Sequence, residues 1–446
     1  MRDNIIIPVW SIGSFLIVMN TTMFNVSIPE LITDLNISAN NASWILSGYS
    51  IGFALATVIY SRLSDFIPIR YLLTFGLSIL GVSSILGFFS NTFEFVLIAR
   101  LLQSCGAGAV PVLGAVLASR YVPLERRGKS LTILGSSAAL GFGLGPIVGG
   151  MITAYLGWQM LFIVTTLVLP LSIVLWMLLP KEDSYKLNFD FIGAILVILT
   201  TASLLISISK LSILFFCLGI IFLILLIMQL RKVKNPFLQK ELFQNHGYRK
   251  LIIVSFISFA LNMSMLFLMP LVLGNGFHKS TATVGLLIFP GAALSTILIR
   301  FIGGWIDKFG NFLFLILGFC SMLLSNLIIS IWIHESAIVL TIAYLCFAPA
   351  LSTVTSALTN EVSGILPKEI VGSGIGLSLL FQYMGGAFAV ALCGQLIEFQ
   401  NQTDLITASQ HIFYLLYILL LAAFVVLYTY WKYKQSIRKS TPNSKI

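Results

Sequence analysis

The sequence predicts an all-α, polytopic membrane protein with fourteen transmembrane helices. Three observations carry that expectation. The chain has 446 residues, 58% hydrophobic and only 9% charged, with a mean hydropathy of +0.99. A soluble domain carries about a quarter charged residues and must cover its surface with polar groups, so the solvent here is lipid. Apolar runs of about 20 residues, the length that spans a bilayer as a helix, follow one another almost without pause. Finally, the basic residues fall in alternate loops.

Helices are predicted near residues 5–27, 44–62, 71–90, 96–119, 131–155, 159–179, 190–208, 212–230, 250–272, 282–303, 312–332, 337–358, 370–396 and 410–430. Helix 1 has the position of a signal peptide. It lacks a small-residue cleavage site, and its apolar run continues into Asn25-Val26-Ser27-Ile28-Pro29, so it is expected in the mature chain. With the N-terminus inside, Arg62, Arg70, Arg120, Arg126, Arg127, Lys129, Lys181, Lys186, the 231–250 cluster and the tail all fall in cytoplasmic loops. Only Lys210 and Lys279 fall outside. That asymmetry places both termini in the cytoplasm and demands an even number of spans. It also accounts for the net charge of +10, so no nucleic-acid partner is expected.

Cys105, Cys217, Cys320, Cys346 and Cys393 lie in apolar runs without metal-ligand spacing, and read as packing residues. No metal or cofactor is expected. No paired catalytic carboxylates, H-E-x-x-H or nucleophile elbow occurs, so the chain does not read as an enzyme.

A weak repeat divides the chain. Ser61-Arg62-Leu63-Ser64-Asp65-Phe66-Ile67-Pro68-Ile69-Arg70 follows helix 2, and Gly303-Gly304-Trp305-Ile306-Asp307-Lys308-Phe309-Gly310 follows helix 10. Each sets an Asp four residues after a small residue at the cytoplasmic end of a helix. Repeats of this kind mark transporters built from two similar halves. In a six-plus-six design the second copy would follow helix 8, so two helices are inserted. The expected division is 1–180 (six helices), 181–240 (two inserted helices and a linker), 241–431 (six helices) and 432–446 (a basic cytoplasmic tail).

From these residues the chain resembles the major facilitator superfamily, in its fourteen-helix drug:proton antiporter branch, over about residues 12–395. The first loop is similar to the G-x-L-a-D-r-x-G-r-k signature, with Ser61 and Pro68 replacing its glycines. The resemblance implies the major facilitator fold, two pseudo-symmetric six-helix halves plus the inserted pair. It also implies that Asp65, Arg70 and Asp307 form conformational latches through charge-assisted hydrogen bonds. Helix 5 carries Gly141-Phe142-Gly143-Leu144-Gly145-Pro146-Ile147-Val148-Gly149-Gly150, similar to the G-x-x-x-G-P-x-x-G-G motif of the family's exporters. Glycine lets backbones approach in lipid and proline removes a backbone donor, so Gly141, Gly145, Pro146, Gly149 and Gly150 predict a tightly packed, kinked hinge. Helix 1, Met19-Asn20-Thr21-Thr22-Met23-Phe24-Asn25-Val26-Ser27-Ile28-Pro29, resembles L-D-x-T-x-x-N-V-x-L-P with Asn20 at the acidic position. Phe189-Asp190-Phe191-Ile192-Gly193 and Phe289-Pro290-Gly291 agree with the same branch. The whole pattern is closest to tetracycline and multidrug exporters of Gram-positive bacteria.

The resemblance implies a monomeric pump in the bacterial plasma membrane that exports small amphipathic drugs against protons. A narrow exporter, of tetracycline or an endogenous metabolite, and an uptake symporter are the alternatives. A proton-driven pump needs a titrating group, yet the positions matching acidic sites in related exporters read Asn20, Phe142 and Gly386. Asp65, Asp307, Glu361 and Glu398 sit at helix ends and read as solvated. Glu30 and Asp34, four residues apart, would share a helical face, where like charges raise one pKa. They are the expected coupling pair, with Arg100 in helix 4. A charge at that depth costs at least about 2.5–3.5 kcal/mol and should face a cavity or a polar partner. The substrate cavity is expected to draw on Asn20, Asn25, Trp44, Tyr49, Phe53, Gln103, Asn262, Met263, Met265, Met269, Gln382, Tyr383 and Met384, since flexible methionines and aromatics suit varied apolar shapes.

Overall fold

A computed structural model describes residues 3–64, 66–122, 124–180, 190–233, 236–367, 370–400 and 402–440. Among them there are only helices, turns and coil, with no strand. Fourteen helices are long and apolar enough to span a bilayer. Helices 1 to 6 are Asn4–Val26, Ala39–Leu63, Ile69–Phe88, Phe93–Ala118, Ile133–Leu156 and Met160–Leu178. Helices 7 and 8, the inserted pair, are Phe191–Ile208 and Ile213–Lys232. Helices 9 to 14 are His246–Gly276, Thr281–Ile299, Asn311–Trp332, Ala337–Ile365, Gly374–Phe399 and Leu405–Ser436. In lipid every backbone group must be satisfied within the element, and the helix is how a single segment does it.

The helix starts are written locally. Ser38 caps helix 2 by accepting from the Asn41 amide at 3.2 Å, and Asn245 caps helix 9 by accepting from Tyr248 at 3.0 Å. Asp190 is the most elaborate cap. Its Oδ1 accepts from the Gly193 amide (2.8 Å) and Gln229 Nε2 (2.9 Å), and its Oδ2 from the Phe237 amide (3.0 Å). One carboxylate therefore ties the start of helix 7 to the end of helix 8 and to the linker beyond. The linker is held in turn by Arg62 of helix 2, which donates to the Pro236 carbonyl at 3.0 Å.

Helix 9 is apolar on every face and almost wholly buried, at the centre of the second six-helix set. Helix 8 is just as apolar but almost wholly exposed, so its neighbour is lipid. The two sets meet along helix 2 against helix 13 and helix 5 against helix 10, while helix 5 also packs along helix 1.

Several helices run past their expected ends, and two of the differences matter most. Helix 5 belongs to a continuous helix Leu124–Leu156 with Pro146 inside it. The last helix runs on to Ser440, well past residue 430, because Tyr430 and Lys434 find a buried partner, Glu361, on helix 12.

Candidate functional site

Arg100 is the feature around which the first six helices are organised. It lies about 10 Å inside the end of helix 4, at 1.5 Å per residue, and is fully buried. It does not snorkel to an interface. Its Nη1 donates to Asn20 Oδ1 (2.7 Å) and to Gln103 Oε1 (3.0 Å). Asn20 Nδ2 then donates to Thr165 (2.5 Å), and Gln103 Nε2 to Ser84 (2.7 Å). The guanidinium is sandwiched between Phe24 and Tyr49, 4.0 and 3.9 Å from their ring centres. Helices 1, 2, 3, 4 and 6 all contribute. Among the described residues no carboxylate pairs with this charge, and its Nε and Nη2 donors have no partner. A buried cation that is held but not neutralised is expensive to keep.

A line of rings leads from Arg100 to the centre of the protein. Tyr49 stacks near Phe53 on helix 2 (6.2 Å), Phe53 meets Tyr383 of helix 13 (4.8 Å), and Tyr383 meets Phe259 of helix 9 edge-on (4.9 Å). Phe259 lines a cavity of about 210 Å3 between helix 5 on one side and helices 9, 10 and 12 on the other. Phe142 forms part of its wall. Asn262 does too: it is buried, and its Nδ2 has no hydrogen-bond partner. Ser295, Thr296, Ser352 and Thr355 give the opposite wall a row of hydroxyls.

The end of the molecule away from the chain termini is shut. A Cβ added at Gly141 would lie 2.7 Å from the Phe15 carbonyl oxygen, and one at Gly149 2.6 Å from Met23 Cα, both on helix 1. One at Gly150 would lie 2.5 Å from the Thr281 carbonyl at the start of helix 10. Helix 5 thus joins the two six-helix sets by backbone contact, as small residues allow in lipid. Gly145 and Pro146 lie in the same seams, against Thr22 and Gly285. Around this seam Thr281 Oγ1 donates to Glu30 at 2.8 Å, and Ser38 to Glu398 at 3.3 Å. Toward the other end helices 5 and 10 part: among the described residues, nothing from another element lies within 4 Å of where a side chain would begin at Gly135 of helix 5 or at Gly303 and Gly304 of helix 10.

Glu30 and Asp34 share the short helix Ile28–Asp34 but face different neighbours. Glu30 reaches helix 10, whereas Asp34 accepts from Trp158 Nε1 at 3.0 Å. Arg100 hydrogen-bonds with neither. Asn20 and Gln103 are its direct partners, and Tyr49, Phe53, Tyr383 and Asn262 fall on the path to the cavity. Asn25 and Gln382 are buried. Met265 packs instead with Met322, Phe347 and Phe413 in the core of the second set, and Trp44 lines a different cleft. Asp65 lies outside the described residues, as does the side chain of Asp307. Arg70 lies over the Trp176 ring, 3.8 Å from its centre, within the first set.

Sequence reasoning missed the ring-stacking role of Phe24, the supporting hydroxyls of Ser84 and Thr165, and the cavity hydroxyls. The one available signal was the three-residue spacing of Ser352 and Thr355 in an apolar helix, which puts both on one face. Glu361 was read as solvated. It is buried at the end of helix 12, accepting from Lys434 Nζ (2.6 Å), Asn311 Nδ2 (2.6 Å) and the Tyr430 hydroxyl. No grouping of histidine, cysteine and acidic side chains suited to a metal occurs among the described residues.

The comparisons with known proteins agree with this architecture. The riboflavin transporter RibZ of Clostridioides difficile is 25% identical over 380 residues, covering 83% of each chain. The multidrug resistance protein Stp of Mycobacterium tuberculosis is 23% identical over 394 residues, covering 83% of this chain and 73% of its own. Among solved structures, a POT family transporter in complex with 5-aminolevulinic acid superposes with a TM-score of 0.72 at 13% identity, over 95% of this chain and 96% of that one. A bacterial homologue of the lysosomal transporter Spinster, inward-facing and unoccupied, gives 0.70 at 12% identity over 96% of both chains. At such identities the structures speak for the fold alone. The family model described as Major Facilitator Superfamily matches residues 10–390, nearly the whole of the helical bundle: this chain belongs to that superfamily and is a multi-pass membrane transporter.

Proposed function

We propose that the chain is a proton-coupled exporter of structurally diverse amphipathic drugs, working by alternating access in the bacterial plasma membrane with both termini in the cytoplasm. The observation that carries this reading is the glycine–proline run of helix 5. It is seated backbone to backbone against helices 1 and 10 toward the far end, while helices 5 and 10 part toward the termini-side end, which this reading takes as the open one. The basic loops put that open end in the cytoplasm, so the conformation described is the one that loads from inside. An amphipathic ring system suits the aromatic path from Tyr49 to Phe259, and the cavity's orphan Asn262 donor can orient one polar group.

Glu30 supplies the coupling in this reading. As a carboxylate it accepts from Thr281 across the seam, and protonation weakens it as an acceptor, loosening the closed end. Asp34 and the Arg100 charge set the field around it. The test is pH-driven drug exchange in vesicles, with Glu30→Gln and Asp34→Asn singly and together. Exchange that falls at least tenfold in the double variant is the expected result, and undiminished exchange defeats the assignment. Direction is read from energised cells: drug accumulation should rise when an uncoupler collapses the gradient, and a fall would mean uptake.

A narrower transporter is the second reading, favoured by the modest cavity of about 210 Å3 and by the riboflavin transporter among the relatives. Competition by riboflavin alone, with no response to a panel of unrelated drugs, would select it.

A further inference from the structure

A cavity larger than the central one lies to the side of the bundle. A cleft of about 830 Å3 runs along the outer face of helix 2, between helices 3 and 4 on one side and inserted helix 7 on the other. On helix 2 its wall extends from Trp44 to Leu63, about 28 Å at 1.5 Å per residue, close to the hydrocarbon thickness of a bilayer. The lining among the described residues is apolar almost throughout, and Phe75, Leu101 and Ile198 present exposed side chains to it. Helix 7 is kept at a distance here: it packs on helices 8 and 13 and touches helix 2 only lightly, while Asp190 anchors it at the termini-side end. No part of the described chain fills the space.

At the termini-side mouth the chemistry changes. Tyr71 lines the cleft, and beside it, outside the lining, Trp176 meets Tyr71 edge-on at 5.2 Å and carries the half-buried Arg70 guanidinium on its ring, with the buried Nε unpartnered. Two aromatics and an arginine at the end of an apolar trough match a lipid in charge and shape. Aromatic rings sit at headgroup level, and a guanidinium is the side chain best suited to a phosphate.

We propose that this cleft is a phospholipid site, with an acyl chain along helix 2 and the headgroup phosphate on Arg70. Inserted helix 7 thereby acquires a role of its own, as the wall that turns an open bundle face into a lipid-holding trough. The site stands apart from the central cavity, and its occupancy can be measured without any assumption about the transported solute.

Native mass spectrometry of the full chain, released from nanodiscs containing phosphatidylglycerol and matched diacylglycerol, tests it. The wild type should retain phosphatidylglycerol through detergent exchange. Ala202→Trp, or Ile198→Trp should the first variant misfold by size-exclusion and melting profile, fills the trough and should lower retention at least fivefold. Arg70→Gln should lower retention of phosphatidylglycerol severalfold and leave diacylglycerol unchanged. Retention unaffected by both trough-filling variants would overturn the site. So would an Arg70→Gln variant that treats the two lipids as the wild type does. A hydrophobic drug that displaces lipid from wild type and Arg70→Gln equally well would make the trough a drug route instead.

Discussion

Two buried charges in this protein are handled in opposite ways. Glu361 lies at the end of helix 12, where Lys434, Tyr430 and Asn311 from two other helices converge on its two oxygens. Arg100 lies deep in helix 4, where it has two neutral acceptors, two aromatic faces and two donors with nothing to bind. The first is a closed account of donors and acceptors near an interface, and it fastens the last helix to the bundle. The second keeps an uncompensated cation in the hydrocarbon region, which is unfavourable for folding. We propose that the partly satisfied ion changes partners during transport, whereas the fully satisfied one is architecture.

Substitutions at the two sites should therefore fail differently. Arg100→Gln removes the charge but leaves a side chain able to bond Asn20 or Gln103. Gradient-driven transport should drop at least tenfold, while melting temperature and expression stay near wild type. Arg100→Lys, a point charge that cannot hold both acceptors and both rings, should fail as well. A well-folded Arg100→Gln with full transport would erase the distinction. Glu361→Leu reverses the pattern. It strands the Lys434, Tyr430 and Asn311 donors, destabilising the protein by about 2–4 kcal/mol, with transport per folded molecule retained. Thermal unfolding and transport normalised to folded protein measure the two together.

The central cavity sharpens the same contrast on a neutral group. Asn262 buries an amide whose Nδ2 has no partner. Replacing an unsatisfied buried polar group by an apolar one of similar size is neutral or stabilising. Asn262→Leu should hold or raise the melting temperature by a degree or two while weakening transport severalfold. A loss of stability would mean that the amide serves packing rather than a ligand.

The fold was legible because lipid imposes a rule that sequence obeys residue by residue. The fourteen spans and the seam-forming glycines of helix 5 follow from apolar length and small-residue spacing, and the inserted pair from the displaced loop repeat. Arg100 was legible for the same reason, since a charge inside an apolar run has to find a partner. What could not be read was which partner. Gln103 lies three residues on along the same helix, but Asn20, Ser84 and Thr165 come from three other helices whose relative rotation is fixed only by packing. Met265 shows the converse. As a flexible side chain on a helix that is apolar on all faces, it carries no sign of which side it turns to, and it turns to the core. Glu361 was misjudged because the reading stopped the last helix at residue 430. The residues that bury Glu361, Tyr430 and Lys434, sit on the last turns of a helix that continues over the end of helix 12.

The smallest expected effect tests what kind of satisfaction Glu361 has. Lys434 is 38% exposed while its partner is 4% exposed, so solvent screens the ion pair, and exposed pairs are worth about 0–1 kcal/mol. The Tyr430 and Asn311 donors approach from the buried side and do not depend on it. Lys434→Met keeps the apolar stem against the bundle and removes only the ammonium. It should destabilise by about 1 kcal/mol or less, weaken further in high salt only slightly, and leave transport unchanged. A loss as large as that of Glu361→Leu would show that the charge, not the hydroxyl and amide, neutralises Glu361. The two buried ions would then differ in the sign of what they lack rather than in how completely they are bound.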